Sequence, residues 1–356
     1  MKIIHTSDLH LNSPMTARLS PNKVRDRKAE LFNTFEKMVD EAVFQKVSIF
    51  IVAGDLFDNE RITKSAAERV LGKMRKAPSV DFLYLSGNHE KSALKECGVP
   101  LPQNLKIFGD EWTYFDYGNL TVAGRSVIEP DMFEKLNLNY AKTNIVVLHG
   151  ALADARSGGE IIGIKDAAGK YIDYLALGHY HSYDDVKIDD RGIAVYSGTP
   201  EGRGFDETGT KGFVMVEADG SRVRHSLIPF AKRTVKILNV DITGSISRID
   251  IDDKIEEELK GISSSDLIRI RLTGSRFPEV YADLEAIKSR YENRYYHFEV
   301  KDDSKMRINP DDYKYDKSLK GEFIRLVLAS NDIEEADKDR IIRTGIAALM
   351  GEADEI

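Results

Sequence analysis

Four apolar runs, each stopping abruptly at a polar cluster, constrain this sequence most. Residues 47–53 (VSIFIVA) stop at Gly54-Asp55, and residues 82–85 lead to Gly87-Asn88-His89-Glu90. Residues 145–148 stop at His149-Gly150, and residues 174–177 at Gly178-His179-Tyr180-His181. A shorter run, residues 2–5, opens the chain and leads to Asp8-Leu9-His10. Runs that are apolar throughout, rather than alternating, fit strands covered on both faces. In such α/β sheets ligands bind beyond the carboxyl ends of the strands. Side chains two apart on extended backbone share a face, so Asp8 and His10 leave the first strand together.

The residue types at the five strand ends narrow the chemistry. Carboxylate, amide oxygen and imidazole suit Mn²⁺, Fe²⁺ or Zn²⁺. Seven candidate ligands, Asp8, His10, Asp55, Asn88, His149, His179 and His181, are too many for one ion. They suit two divalent ions about 3.5–4 Å apart that share a carboxylate. Asp55 is the expected bridge, because Gly54 lets its backbone turn sharply. Cys97 is the only cysteine, so a thiolate site is excluded. Taken singly, each residue has an ordinary alternative: His149 a core histidine, Asp55 a helix cap, Asn88 a turn residue. Five strand ends delivering ligands together favour the metal centre. His89 follows Asn88 and can project beside the ions without binding them, which suits a general acid for the departing oxygen. Its alternative is a structural prop. His5, His225 and His297 have no comparable spacing and read as structural. Tyr180 is expected to face away from the ions, and Asp58 to face elsewhere if Asp55 coordinates, as a loop residue or a support behind the ligands.

These motifs resemble the calcineurin-like metallophosphoesterase superfamily. Within it the chain is similar to SbcD-type DNA repair nucleases, especially their shorter YhaO-like relatives. Asp8-Leu9-His10-Leu11, Gly54-Asp55-Leu56-Phe57-Asp58, and Ser197-Gly198-Thr199-Pro200 with the following Gly204–Glu207 and Lys211–Phe213 carry that narrower likeness. The resemblance implies a four-layer αββα sandwich that hydrolyses DNA phosphodiesters with two metals, Mn²⁺ foremost. It also implies His89 as general acid and transition-state stabiliser, a small capping domain over the metals, a homodimer built by helices near residues 29–43, and an SbcC-like ATPase as partner. Two alternatives stay open: a phosphoesterase acting on something other than DNA, and a tethering subunit whose nuclease has lapsed.

The rest of the chain divides by pattern. Residues 1–232 read as the nuclease domain, 233–309 as the α/β cap in βαβαβ order, and 310–356 as a helical tail. Residues 12–27 read as a polar loop that is either solvated or a phosphate-contacting edge. Residues 29–43 and 64–76 read as helices, and 114–125 as a hairpin turning at 117–119. Residues 188–197 and 211–216 read as strands of a second sheet. In the tail, Leu319, Phe323 and Val327 form one stripe, and Asp332-x-x-Glu335 resembles a capping box ahead of Ile342, Ile346 and Leu349. These helices either fold back onto the cap or dock on the ATPase. Net charge is −8, which does not advertise nucleic acid. The excess is local, however: 7 Lys and Arg stand against 12 Asp and Glu in residues 310–356, but 30 against 32 in residues 1–232. Two dications would turn that first domain slightly positive. The sequence has no run of membrane-span length and no basic-apolar leader, which predicts a cytoplasmic protein.

Overall fold

The structure is a computed structural model. It describes residues 1–350 apart from 16, 59–61, 88–92, 155–160, 221, 279 and 281, and apart from the side chains of Ala93 and Lys95. The chain forms two compact units, Met1–Val235 and Lys236–Ile356.

The first unit runs β1 (Lys2–Thr6), α1 (Pro21–Phe44), β2 (Ile49–Ala53), α2 (Lys64–Arg75), β3 (Asp81–Leu85), α3 (Ala93–Glu96), β4 (Leu105–Ile107), β5 (Thr113–Tyr117) and β6 (Leu120–Gly124). It continues with β7 (Thr143–His149), β8 (Ala151–Ala153), β9 (Ile161–Gly163), α4 (Ile164–Ala167), β10 (Tyr174–Gly178), β11 (Asp184–Lys187), β12 (Ile193–Tyr196), β13 (Gly212–Ala218) and β14 (Val223–Pro229). Two six-stranded sheets result, in the orders β14-β13-β1-β2-β3-β4 and β11-β12-β10-β7-β6-β5. Strand alternation sorts the cores. Ile3, Ile49, Ile51 and Leu83 meet Val122, Ile145, Val147 and Ala176 between the sheets. Their neighbours Ile4, Phe50, Val52 and Phe82 face Phe35 and Met38 of α1 and Val70 and Met74 of α2. Val146, Leu148, Leu175 and Leu177 pack beneath Phe133, Ile162, Ala167 and Ile172 on the far side. The expected αββα sandwich forms, with loops and the short α4 as its outermost layer.

Two expectations need correction. Residues 211–216 do not join the second sheet: β13 pairs antiparallel with β1, with Ile3 opposite Val216 and His5 opposite Val214. Its Val214 and Val216 face the inter-sheet core, and Phe213 and Met215 the helix side. Helix α1 starts at Pro21, not near residue 29, because Ser20 is extended ahead of it and proline suits the first helical turn. Residues 21–27 are therefore helical, and Arg27 is no phosphate-contacting edge. It is fully buried and ion-paired with Glu30 and Glu201.

The second unit opens on β15 (Val235–Asp241), whose first residue ends the first unit. It continues with α5 (Arg248–Glu258), β16 (Leu267–Thr273), β17 (Ser275–Arg276), α6 (Leu284–Tyr291), β18 (His297–Asp302), β19 (Lys305–Met306), a 3₁₀ turn (Pro310–Tyr313), α7 (Leu319–Ala329) and α8 (Glu335–Leu349). Strands β15, β16 and β18 form one sheet, and Ile268, Ile270 and Phe298 pack with Ile251, Ile255 and Ile287 of α5 and α6. In the tail, Ile324, Val327, Ile342 and Ile346 close on Met306 and Tyr313, so the two helices bury against their own unit. The buried stripe differs from expectation: Leu319 is 69% exposed, and α8 is capped by Glu334 without a side-chain bond, not by a box from Asp332. Among the described residues no helix is long and apolar enough to cross a membrane.

Acid should destabilise the first unit through two buried groups. Burial alone would raise the Glu30 carboxyl, but Arg233, Lys232 and Arg27 outweigh it and hold it at about 2 against 4.5. Between those values the unfolded chain takes up a proton that the folded one refuses, so stability falls as pH falls, by up to about 3 kcal/mol. Burial also pushes His5 down to about 3 from 6.5, which adds loss with the same sign from pH 6.5 downward. Thermal midpoints should drop steeply from pH 6 to 3. Glu30→Gln should start lower and fall less steeply below pH 4.5; an unchanged slope would assign the acid loss elsewhere.

Candidate metal centre

The loops after β1 and β2 run side by side. The Asp8 N–H donates to Gly54 O at 3.0 Å, His10 N–H to Asp55 O at 2.9 Å and Leu11 N–H to Leu56 O at 2.9 Å. This ladder extends the strand pairing beyond the sheet and holds an unusual backbone. Asp8, His10, Asp55 and His179 have φ of 52°, 44°, 51° and 102°. Non-glycine residues in this region store about 1–3 kcal/mol each and gather where function requires them. Close packing is met by glycine. A Cβ on Gly54 would stand 2.1 Å from His149 Nδ1, and one on Gly178 would stand 2.0 Å from Ala53 O.

Two groups of ligand-type atoms converge, each within 4.8 Å: Asp8 with His10 and His181, and Asp8 with Asp55 and His149. The groups draw on both sheets, because β1 and β2 belong to one, and β7 and β10 to the other. Asp55 Oδ2 lies 3.7 Å from His10 Nε2 and 3.4 Å from His149 Nε2, facing both groups. His10 Nε2 and His181 Nε2 are 3.2 Å apart. Two imidazole nitrogens about 2.0–2.1 Å from one ion stand roughly 3–3.4 Å apart, so the pair fits a shared cation. Asp8 is held by the Ser7 hydroxyl at 2.5 Å and by the His179 N–H, 3.1 and 3.0 Å from its two oxygens. The His179 ring stands edge-on to His149 with centroids 5.6 Å apart. Asn88 and His89 lie outside the described residues.

The outer nitrogens of two imidazoles are hydrogen-bonded, and that of a third lies beside a carboxylate. His149 Nδ1 donates to Ala53 O at 2.9 Å, His181 Nδ1 reaches Glu207 Oε1 at 2.7 Å, and His10 Nδ1 lies 3.0 Å from Asp58 Oδ1. Such partners fix the tautomer and leave the Nε2 lone pair for a metal. Electrostatics points the same way. Asp8 and Asp55 are buried, and buried anions need a cation. Burial would lower His149, yet Asp55 and Asp8 outweigh it and raise it to about 9. The bond to Glu207 likewise raises His181, and Glu207, despite its burial, is held far below the usual carboxylate range by His181 and Arg203.

The other described histidines stay apart from this cluster. His5 is buried against the Tyr174 hydroxyl, His225 packs on Tyr174, and His297 pairs with Glu299. Tyr180 is 48% exposed and lies against the His179 ring. The sequence gives no spacing signal for Glu207, which reaches His181 from 26 residues away.

The sequence profile of calcineurin-like phosphoesterases matches residues 1–183. The chain is 25% identical over 243 residues to the metallophosphoesterase YhaO of Bacillus subtilis, covering 63% of this chain and 59% of that one. It is 26% identical over 265 residues to the DNA double-strand break repair protein Mre11 of Sulfurisphaera tokodaii, covering 68% and 63%. It is 22% identical over 308 residues to Mre11 of Saccharolobus solfataricus, covering 78% and 76%. The match thus spans about three-fifths of the length of the first two relatives.

Proposed function

The chain belongs to the calcineurin-like phosphoesterase family, and from that premise we propose that it is a two-metal nuclease cutting DNA phosphodiesters. The observation that carries this is the convergence of imidazole Nε2 atoms and buried carboxylates from two sheets on one point. Asp8, His10 and His181 would hold one divalent ion and Asp8, Asp55 and His149 the other, with Asn88 and His179 as further ligands, and Mn²⁺, Fe²⁺ or Zn²⁺ suits these donors. Bound there, the ions would lower the pKa of water and offset the charge of the phosphate. The protein's own groups do the rest. Asp58, Glu207 and the Ala53 carbonyl orient the rings, the Asp8 and Asp55 carboxylates hold the anionic side of the centre, and His89 delivers the proton to the departing sugar oxygen.

DNA as substrate is supported by the relatives named for double-strand break repair. In this reading residues 1–232 are the nuclease domain, 233–309 a small domain of the capping type, and 310–356 dock on an SbcC-like ATPase in the cytoplasm. The docking reading draws on Leu319 and Leu326, which stay 69% and 63% exposed on α7 while Ile324 and Val327 bury. A homodimer would use the end of α1, where Phe44 is 78% exposed. The test is Mn²⁺-dependent hydrolysis of linear duplex DNA beside a p-nitrophenyl phosphodiester. Degradation of both supports the nuclease. Turnover of the small ester alone would assign a non-DNA phosphoester, and no turnover with two ions bound would assign a tethering subunit.

A further inference from the structure

The imidazoles of His10 and His181 come from different sheets, yet their Nε2 atoms meet at 3.2 Å. The bonds from His179 N–H to Asp8 tie the two strand-end loops together, but they do not set how the two rings are aimed. Each ring leans on a carboxylate, His10 on Asp58 and His181 on Glu207. One guanidinium lies against both carboxylates. Arg203 Nη2 and Nε lie 2.5 and 2.9 Å from Glu207 Oε1, and Nη1 lies 3.6 Å from Asp58 Oδ1. The Arg203 N–H adds a bond of 2.7 Å to Glu207 Oε2. Arg203 Nη2 also comes within 3.2 Å of His181 Nδ1, but the shorter contact to anionic Glu207 marks that nitrogen as a donor to the carboxylate. The backbone beside Arg203 is fixed in turn, since buried Arg27 donates to Gly202 O at 2.7 Å. His149 has no share in this arrangement, because its outer nitrogen rests on the Ala53 carbonyl.

We propose that Arg203 is a positioning residue for one half of the metal centre: by clamping Glu207 and Asp58 it aligns His181 and His10 on a single cation, and it leaves the His149 half untouched. The centre is therefore asymmetric, one half braced by an arginine and two carboxylates, the other by main chain. This inference rests on the two-metal reading, and its test separates the two.

Mn²⁺ is titrated into full-length protein calorimetrically, with bound metal counted after dialysis and Mn–Mn coupling followed by electron paramagnetic resonance. Wild type should bind two coupled ions; binding none would overturn the two-metal reading itself. Arg203→Met should weaken one ion about 10–100-fold, the usual cost of losing a partner behind a metal-bound histidine, and abolish the coupling while the other ion stays. Arg203→Lys should restore part of the loss. Glu207→Gln keeps the shape and should weaken the same ion, so the proposal remains testable if Arg203→Met folds poorly. Two ions bound as tightly as in wild type, or both weakened equally, would overturn it.

Discussion

Asp55→Asn is expected to remove metal binding and, with it, at least about 10³-fold of the hydrolytic rate. The carboxylate oxygen facing both His10 Nε2 and His149 Nε2 is the one lost in function, at 3.7 and 3.4 Å. An amide keeps its size but not its charge, and asparagine tolerates the φ of 51° that Asp55 adopts. The fold should survive, because the ladder from His10 N–H to Asp55 O is main chain. Stability without metal should fall, since the buried His149 loses the carboxylate that raises it. The rate follows from the ions: charge stabilisation worth several kcal/mol, about 4 for this estimate, corresponds to about 10³. Thermal unfolding gives a reading independent of activity. Mn²⁺ at 100 times its Kd should stabilise wild type by about 2.7 kcal/mol for each ion bound and leave Asp55→Asn unmoved. A variant that still counts two ions and gains the same thermal shift would remove Asp55 from the centre.

How far this arrangement could be read in advance depends on the range of the interaction. β1, β2, β3, β7 and β10 were legible because an apolar run ending in glycine or histidine is a local signal, and the hairpin of β5 and β6 turns at Gly118-Asn119 as its alternation predicts. Sheet membership was not legible, since β13 finds β1 across two hundred residues and its alternation suits either sheet. The start of α1 carried a local signal in Ser20-Pro21, outweighed by the density of charge that follows it. In the tail, Phe323 and Val327 pack inward as their spacing predicts, but Leu319 in the first turn is exposed while Gly321 and Ile324 join the inward face. The inner ligands announce themselves by type and place. Their supports do not: Glu207 and Arg203 acquire meaning only when the loop after β12 folds back on His181. Buried polar partners of this kind are set by long-range packing, which leaves no periodic trace in a sequence.

His89→Ala is expected to keep both ions and lose about 10²–10⁴ in rate on DNA, the usual cost of removing a general acid. The assignment rests on position in the chain. β3 lies next to β2, with Leu85 opposite Ala53, and Gly87 follows against Asp55, where a Cβ would stand 1.9 Å from Asp55 Oδ1. Gly87, the residue before Asn88, therefore lies at the wall of the metal centre. A proton donor should matter in proportion to the basicity of the oxygen that leaves. A sugar alkoxide needs the proton, whereas p-nitrophenolate departs readily without it. The loss should thus be large on DNA and about tenfold or less on a p-nitrophenyl phosphodiester, with unchanged Mn²⁺ stoichiometry on both. An equal loss on the two substrates would make His89 a stabiliser of charge on phosphorus rather than the acid, because only proton delivery is sensitive to the leaving group.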